Sequence, residues 1–372
     1  MPATPLFPSE KLLLGPGPCN VSARVRGAMA MPLLGHMDRE FLAVMDDCKA
    51  MLRLVFDTKN DVTFPLSGTG SAGMDFLMVN FVEPGTRVLV AVNGVFGGRL
   101  ANVAEKIGAV VHREEFPWGE PAALDRMTAA ADAFEPEMIC LVNGETSTGV
   151  YQDFTGYSEL ARKHDALLLA DCVTSLAGMP VHLDAWGVDL AYSGTQKCLA
   201  CPPGLSPVTV SERARERYAA RKSPVPSFYL DLNEILKYVG SGSSARAYHH
   251  TAPVSMVFAL HQALCEIVEE GLEARWTRHR EAASHLIKVM KGFGFEPLVA
   301  EASRLHPLTT FRLPEGFDEA GVRAKLLSDY RIEVGGGLGP LAGKIWRIGL
   351  MGHNANRNTI ASLVGALEEI IG

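Results

Sequence analysis

Short, almost unbroken apolar runs alternating with helix-length amphipathic stretches constrain this chain most. Residues 62–66, 87–92, 138–142, 166–171, 188–192 and 207–210 read as strands, with helices predicted over 71–81, 97–107 and 157–164. A strand buried on both faces has no polar face to keep, so such runs belong to a mostly parallel sheet covered by helices on both sides. A long amphipathic helix precedes them over 38–56, with Phe41, Leu42, Met45, Cys48, Leu52 and Val55 at helical spacing. After Gly204 the pattern changes. Ser223-Pro224-Val225-Pro226-Ser227 and the Gly/Ser segment 240–244 read as surface or subunit-contact loops. A helical region over 254–291, broken near Gly271, leads into a compact α+β unit with strands at 309–313, 331–334 and 345–348 and helices at 318–328 and 357–371. At 372 residues the chain exceeds one typical core. The expected division is a Pro/Gly-rich arm (1–20), a large α/β domain (21–252), and a connecting helix with a small C-terminal α+β domain (253–372).

Composition excludes several functional classes. Hydrophobic residues make up 47% and charged residues 21%, as in soluble globular proteins, and the formal net charge of −7 comes with no basic run that could track a polyanion. Nucleic acid is therefore not an expected partner. No apolar stretch reaches membrane-spanning length, the first ten residues lack a signal-peptide pattern, and the cytoplasm is the expected location. Seven scattered cysteines point to free thiols in a reducing compartment. Cys198 and Cys201 form a C-x-x-C, but no second ligand pair or thioredoxin-like context accompanies them, so they read as packing residues and no metal site is expected.

Two of the strands end on reactive groups. Leu167-Leu168-Leu169-Ala170-Asp171 closes on a carboxylate, and 188–192 leads through Ser193-Gly194-Thr195-Gln196 to Lys197. A lysine there can form a Schiff base, and a carboxylate can keep the ring nitrogen of pyridoxal phosphate protonated. On spacing alone, a surface lysine and a helix-capping aspartate are the commoner reading. Gly68-Thr69-Gly70-Ser71-Ala72-Gly73 matches the dinucleotide-binding pattern and raises a rival reading, a nicotinamide-dependent dehydrogenase using Gly68, Gly70 and Gly73. That reading needs an acid at the end of the next strand, where this chain has Asn93. A phosphate at the helix start remains compatible, because glycines admit close approach and a helix N-terminus offers unpaired N–H groups. Tyr248-His249-His250-Thr251 reads as a helix start capped by Thr251, with adjacent histidines pointing apart and so unsuited to a shared metal.

Six segments occur in one order: Gly15-Pro16-Gly17-Pro18, Ser67-Gly68-Thr69-Gly70, Gly144-Glu145-Thr146-Ser147-Thr148-Gly149, Ser193 to Lys197 followed by Pro202-Pro203-Gly204, Tyr248 to Thr251, and Arg347-Ile348-Gly349. Together they resemble the class V (fold type I) pyridoxal-phosphate aminotransferases, in the alanine/serine:glyoxylate branch, over residues from about 12 to the C-terminus. The resemblance implies an aminotransferase of fold type I with pyridoxal 5'-phosphate as cofactor. Lys197 would be the Schiff-base residue and proton shuttle, with Asp171 on the ring nitrogen. Thr69, Gly70, Ser71 and Gln196 would hold the phosphate, joined by Tyr248 and Thr251 from the neighbouring subunit of an obligate homodimer. Phe96 would stack on the ring where the family often has tryptophan, Val173 would pack on the other face, and Thr146 would touch ring and substrate. Arg347 would bind the substrate carboxylate, with Gly15 beside it. The implied reaction moves an amino group from alanine or serine to glyoxylate or pyruvate. Relatives using aminoethylphosphonate with pyruvate, or ureidoglycine with glyoxylate, remain alternatives. Cysteine desulfurases share the scaffold but need a mobile cysteine loop in the C-terminal half; Cys265 falls in an apparent helix and no cysteine follows it.

Overall fold

A computed structural model describes residue 6 and residues 8–240 and 246–371; residues 241–244 of the Gly/Ser loop and most of the first seven residues lie outside the described residues. The strands, in chain order, are β1 (Leu12–Leu14), β2 (Val62–Ser67), β3 (Arg87–Val92), β4 (Val110–Glu115), β5 (Met138–Val142), β6 (Gly144–Glu145), β7 (Val150–Tyr151), β8 (Leu167–Asp171), β9 (Leu190–Tyr192) and β10 (Leu205–Val210), then β11 (Glu296–Pro297), β12 (Leu308–Arg312), β13 (Ile332–Gly336) and β14 (Ile345–Gly349).

Among the described residues a seven-stranded sheet runs in the order β2-β10-β9-β8-β5-β3-β4. Only β10 is antiparallel to its neighbours, so β2, β3, β5, β8 and β9 all point the same way. Every residue of β5 and β8 is buried, which is why they read as apolar runs without alternation. The register pairs Asp171 with Val142 on one side and with Tyr192 on the other. The loops after these strands therefore collect at one edge of the sheet, where open α/β sheets place their ligands.

The second sheet, in the order β1-β13-β14-β12-β11, has its own apolar cluster around Leu14, Leu286, Phe311, Trp346 and Leu363. Part of the expected N-terminal arm thus becomes a strand of this C-terminal sheet, Leu12 to Leu14 pairing in parallel with Ile332 to Val334. A small third cluster, with Cys19, Met179, Cys198, Leu305, Leu308 and Met351, is built from both halves of the chain.

Helices begin and end where local chemistry dictates. The helix Arg39–Phe56 starts at Asp38, whose side chain accepts from the Glu40 N–H. The break near Gly271 separates Val254–Glu270 from Leu272–Gly292, and Gly271 takes the φ of +79° that other residues resist. Two expectations about 248–251 fail. Pro253, not Thr251, stands before the helix Val254–Glu270, because a proline disfavours helical geometry in the residue preceding it and so delays the start. His249 and His250 do not point apart: in this irregular segment their Nδ1 atoms lie 2.8 Å from one another, one donating to the other. No helix among the described residues is long and apolar enough to cross a membrane.

Candidate active site

Asp171, the last residue of β8, is almost fully buried. Its Oδ2 accepts from the Tyr192 hydroxyl at 2.5 Å and its Oδ1 from the Val173 N–H at 2.9 Å. Burial raises its pKa to about 6, Glu145 adds to that, and the two hydrogen bonds and Lys197 work in the opposite sense. Lys197, in the loop after β9, is also buried and donates to the Pro16 carbonyl. Burial brings its ammonium down from 10.5 to about 8, so it can lose a proton near neutral pH. The Gly15-Pro16-Gly17-Pro18 segment acquires a physical reason here. Gly17 has φ +109°, and a Cβ on it would sit 2.6 Å from Lys197 Nζ.

Both groups face a cavity of about 200 Å³ that is also lined by Gly70, Ser71, Phe96, Thr146, Val173 and Gln196. Thr69 stands just outside it as the N-cap of the helix Gly70–Phe81, whose first-turn N–H groups at Gly70 and Ser71 have no backbone carbonyl to bond. Arg347 comes in from β14: its Nε donates to the Gly336 carbonyl at 2.7 Å and its Nη1 to the Thr146 carbonyl at 3.3 Å. Gly15 packs against the same strand, its carbonyl oxygen 2.2 Å from where a Cβ on Gly349 would stand. Tyr248 and Thr251 are not brought to this cavity within one chain. Both are exposed, Tyr248 at 65%, while His250 Nε2 shares a 2.7 Å hydrogen bond with Ser67 Oγ at the end of β2.

Several lining residues were given no role in the sequence reading: Met74, Arg99, Thr174, Tyr192 and Gly144, the last quoted there only as part of a motif. Arg99 lies over the Phe96 ring at 4.8 Å and has no ion-pair partner among the described residues; its i+3 spacing from Phe96 on one helix was a usable signal. Glu145, fully buried beside the cavity, accepts four hydrogen bonds: Oε2 from the N–H groups of Phe96 (2.9 Å) and Gly97 (3.3 Å), Oε1 from the Ser147 N–H (3.0 Å) and hydroxyl (2.6 Å). It joins the start of the Phe96 helix to the Thr146 loop. Burial raises its pKa, and these four donors oppose the rise.

The donor set fits pyridoxal phosphate. A carboxylate, a lysine with a lowered pKa, two apolar side chains and a helix start with unpaired N–H groups correspond to a ring nitrogen, an aldehyde, two ring faces and a phosphate. The dinucleotide reading finds no support, since Asn93 is buried and donates to the Glu120 carbonyl at 2.8 Å. Cys198 and Cys201 are buried free thiols, and burial pushes Cys198 up to about 12 and raises Cys201 as well.

The family model for class V aminotransferases matches residues 27–356, and the chain belongs to that family, with fold type I architecture. Within it, the chain falls among the alanine–glyoxylate type. It is 39% identical to the alanine–glyoxylate aminotransferase of Felis catus over 368 residues, 99% of this chain and 89% of the relative. The crystal structure of an alanine–glyoxylate aminotransferase from Nostoc sp. superposes with a TM-score of 0.98 at 45% identity, covering 100% of this chain and 98% of that one. A ureidoglycine–glyoxylate transaminase from Bacillus subtilis (strain 168) is 34% identical over 97% of this chain and 90% of its own. A cysteine desulfurase from Thermococcus onnurineus NA1, at 12% identity and a TM-score of 0.74, shares the fold alone.

Proposed function

We propose that this protein transfers the amino group of alanine or serine to glyoxylate, with pyruvate as a second acceptor, and does so with pyridoxal phosphate. The observation that carries the reading is the convergence on one cavity of a buried lysine whose pKa is lowered to about 8 and a buried aspartate, with the Arg347 guanidinium touching the carbonyl of the cavity residue Thr146. The names of the relatives support alanine as donor and glyoxylate as acceptor.

Bound pyridoxal phosphate supplies an aldehyde carbon to which amines add and a ring that withdraws electrons from the substrate Cα. The protein's part is to hold that ring and move protons. Gly70, Ser71, Thr69 and Gln196 would take the phosphate, Phe96 and Val173 the two ring faces, and Asp171 the ring nitrogen. As a carboxylate, Asp171 keeps that nitrogen protonated. Arg347 fixes the plane of the substrate carboxylate by paired N–H bonds and so aims the Cα–H bond, with Thr146 and Gly15 beside it. Neutral Lys197 Nζ would accept the proton from the substrate Cα and, as an ammonium, would give a proton back on the far side of the nitrogen being transferred. This is general acid–base chemistry for which a lowered lysine pKa is suited. One site serves both half-reactions in turn, so kinetics are ping-pong.

A homodimer completes the site in this reading, Tyr248 and Thr251 reaching the partner's phosphate. The exposure of Tyr248 together with Phe228 (66%) and Tyr229 (43%) supports a covered surface there. The seven free thiols fit a reducing compartment such as the cytoplasm.

A panel of alanine, serine, aminoethylphosphonate and ureidoglycine against glyoxylate and pyruvate tests the assignment. Alanine or serine with glyoxylate should give the highest kcat/KM. A preference for the phosphonate or ureidoglycine would replace the substrate assignment, and no transfer from any donor would defeat it.

A further inference from the structure

Behind the cavity, one turn of the helix Leu272–Gly292 grips both chain segments on which the reaction depends. Arg275 and His279, both buried, stand four residues apart and so lie on one face of that helix. Arg275 Nη2 donates to the Cys198 carbonyl, next to Lys197, at 2.7 Å. The Gly352 N–H, a few residues beyond Arg347, donates to His279 Nε2 at 3.0 Å. His279 Nδ1 donates to the Arg275 carbonyl at 2.8 Å, which assigns its tautomer, and burial with two arginines nearby lowers its pKa to about 3, so the ring stays neutral. Arg278 Nη1 donates to the carbonyls of Gly352 (2.8 Å) and Ala355 (2.9 Å). Glu270 closes the cluster, accepting from Arg275 Nη1 at 2.7 Å and from Arg278 Nε at 2.5 Å and Nη2 at 2.9 Å. The two gripped turns also touch directly. Gly352 has φ +55°, and a Cβ there would fall 2.6 Å from that of Ala200.

Taking charges out of water is costly, and apolar side chains could have filled the same seam; a charge cluster retained here is expected to specify an arrangement. We propose that Arg275 and His279, braced by Glu270 and Arg278, are positioning residues that hold the Lys197 segment and the Arg347 segment in one fixed relation, so that the lysine amine meets the Cα of a substrate whose carboxylate sits on Arg347. The inference rests on the transamination reading. In it, Arg347 sets where the substrate lies and Lys197 must reach it, and a displacement near 1 Å between them costs up to about a hundredfold in rate.

The test uses the cofactor-loaded enzyme with alanine and Cα-deuterated alanine, comparing the unaltered chain with His279→Phe, Arg275→Lys and His279→Gln. His279→Phe keeps a ring and removes the acceptor for Gly352, whereas His279→Gln keeps an acceptor. His279→Phe and Arg275→Lys should lower kcat per bound cofactor by roughly ten- to a hundredfold while the KM for alanine stays within about twofold. The deuterium isotope effect should rise as proton transfer becomes slower, and His279→Gln should recover most of the rate. In the cofactor-free protein, hydrogen exchange in His279→Phe should quicken at both 198–201 and 351–355. If His279→Phe does not fold, Arg275→Lys and His279→Gln carry the same comparison. A lower melting temperature with unchanged kcat and isotope effect, or quicker exchange at 351–355 alone, would overturn the brace. Absence of alanine–glyoxylate transfer in the unaltered protein would instead defeat the functional reading, and the exchange comparison would still decide the brace.

Discussion

The strand-end wall of the Lys197 cavity and the Tyr248–Thr251 segment are opposite ways of supplying a binding group. Asp171 ends β8 and Val173 follows it, Thr146 follows the short strand β6, and Lys197 stands in the loop after β9; all are enclosed or nearly so, and Asp171 has its hydrogen bonds made before any ligand arrives. Tyr248 and Thr251 lie exposed on an irregular segment held to the sheet by the His250–Ser67 hydrogen bond. Groups fixed by a packed sheet are preorganised and should govern chemistry. Groups on an exposed segment act only against a second surface and should govern retention.

The largest expected effect is on the enclosed side. Lys197→Ala should take turnover below detection, since acid–base transfer alone contributes about 10²- to 10⁴-fold, while the chain stays folded by circular dichroism. Substantial turnover without added amines would remove the lysine from the chemistry.

Asp171→Asn should lower kcat on the order of a hundredfold, the scale of one lost electrostatic contact to developing charge, with some cofactor retained. It should also separate function from stability. The folded pKa of Asp171 is raised from 3.8 to about 6, so stability is lost as pH rises from about 4 through 6, by about 3 kcal/mol once the group is ionised. The cofactor-free Asn variant should therefore melt higher than the unaltered chain at pH 7.5 and show no such gain at pH 4. Unchanged kcat would reduce Asp171 to a structural strand end.

Arg347→Lys should weaken both half-reactions together, by roughly ten- to a hundredfold in kcat/KM, because an ammonium cannot reproduce the bidentate fork. Steady-state kinetics varying alanine and glyoxylate separately would show it. A loss confined to one co-substrate would place the carboxylate on another residue, with Arg99 the next cation at the cavity.

The smallest effect belongs to the exposed segment. Tyr248→Phe should loosen pyridoxal phosphate about fivefold in equilibrium dialysis, one hydrogen bond being worth about 1 kcal/mol, with kcat at saturating cofactor little changed. Mixed dimers with Lys197→Ala sharpen the comparison. If Tyr248 serves the partner, the lysine-bearing site of the hybrid regains normal affinity; if it serves its own chain, that site stays weakened.

The same contrast explains what the sequence made legible. β5 and β8 could be read because burial on both faces leaves unbroken apolar runs, and with β8 came the strand end that carries Asp171; Thr146, beyond the short strand β6, was indicated only by the family resemblance. The edge strand β4 was missed because Val110-Val111-His112-Arg113-Glu114-Glu115 carries the charges an unpaired edge requires. β1 was missed because its pairing with β13 joins residues far apart in the chain. Within the site, the roles of Tyr192 and Glu145 were not legible because their partners, Asp171 and the Phe96 N–H, meet them only through sheet register and helix placement. Thr251 was misread because hydroxyl capping was weighed without the proline two residues on.

The most direct test of the central claim is peptide mass mapping after the purified protein is loaded with pyridoxal phosphate and reduced with borohydride. The account predicts a visible absorption band that disappears on reduction and a cofactor-sized mass increase confined to the peptide containing Lys197. A label on another lysine, or no label with the protein folded, would contradict it.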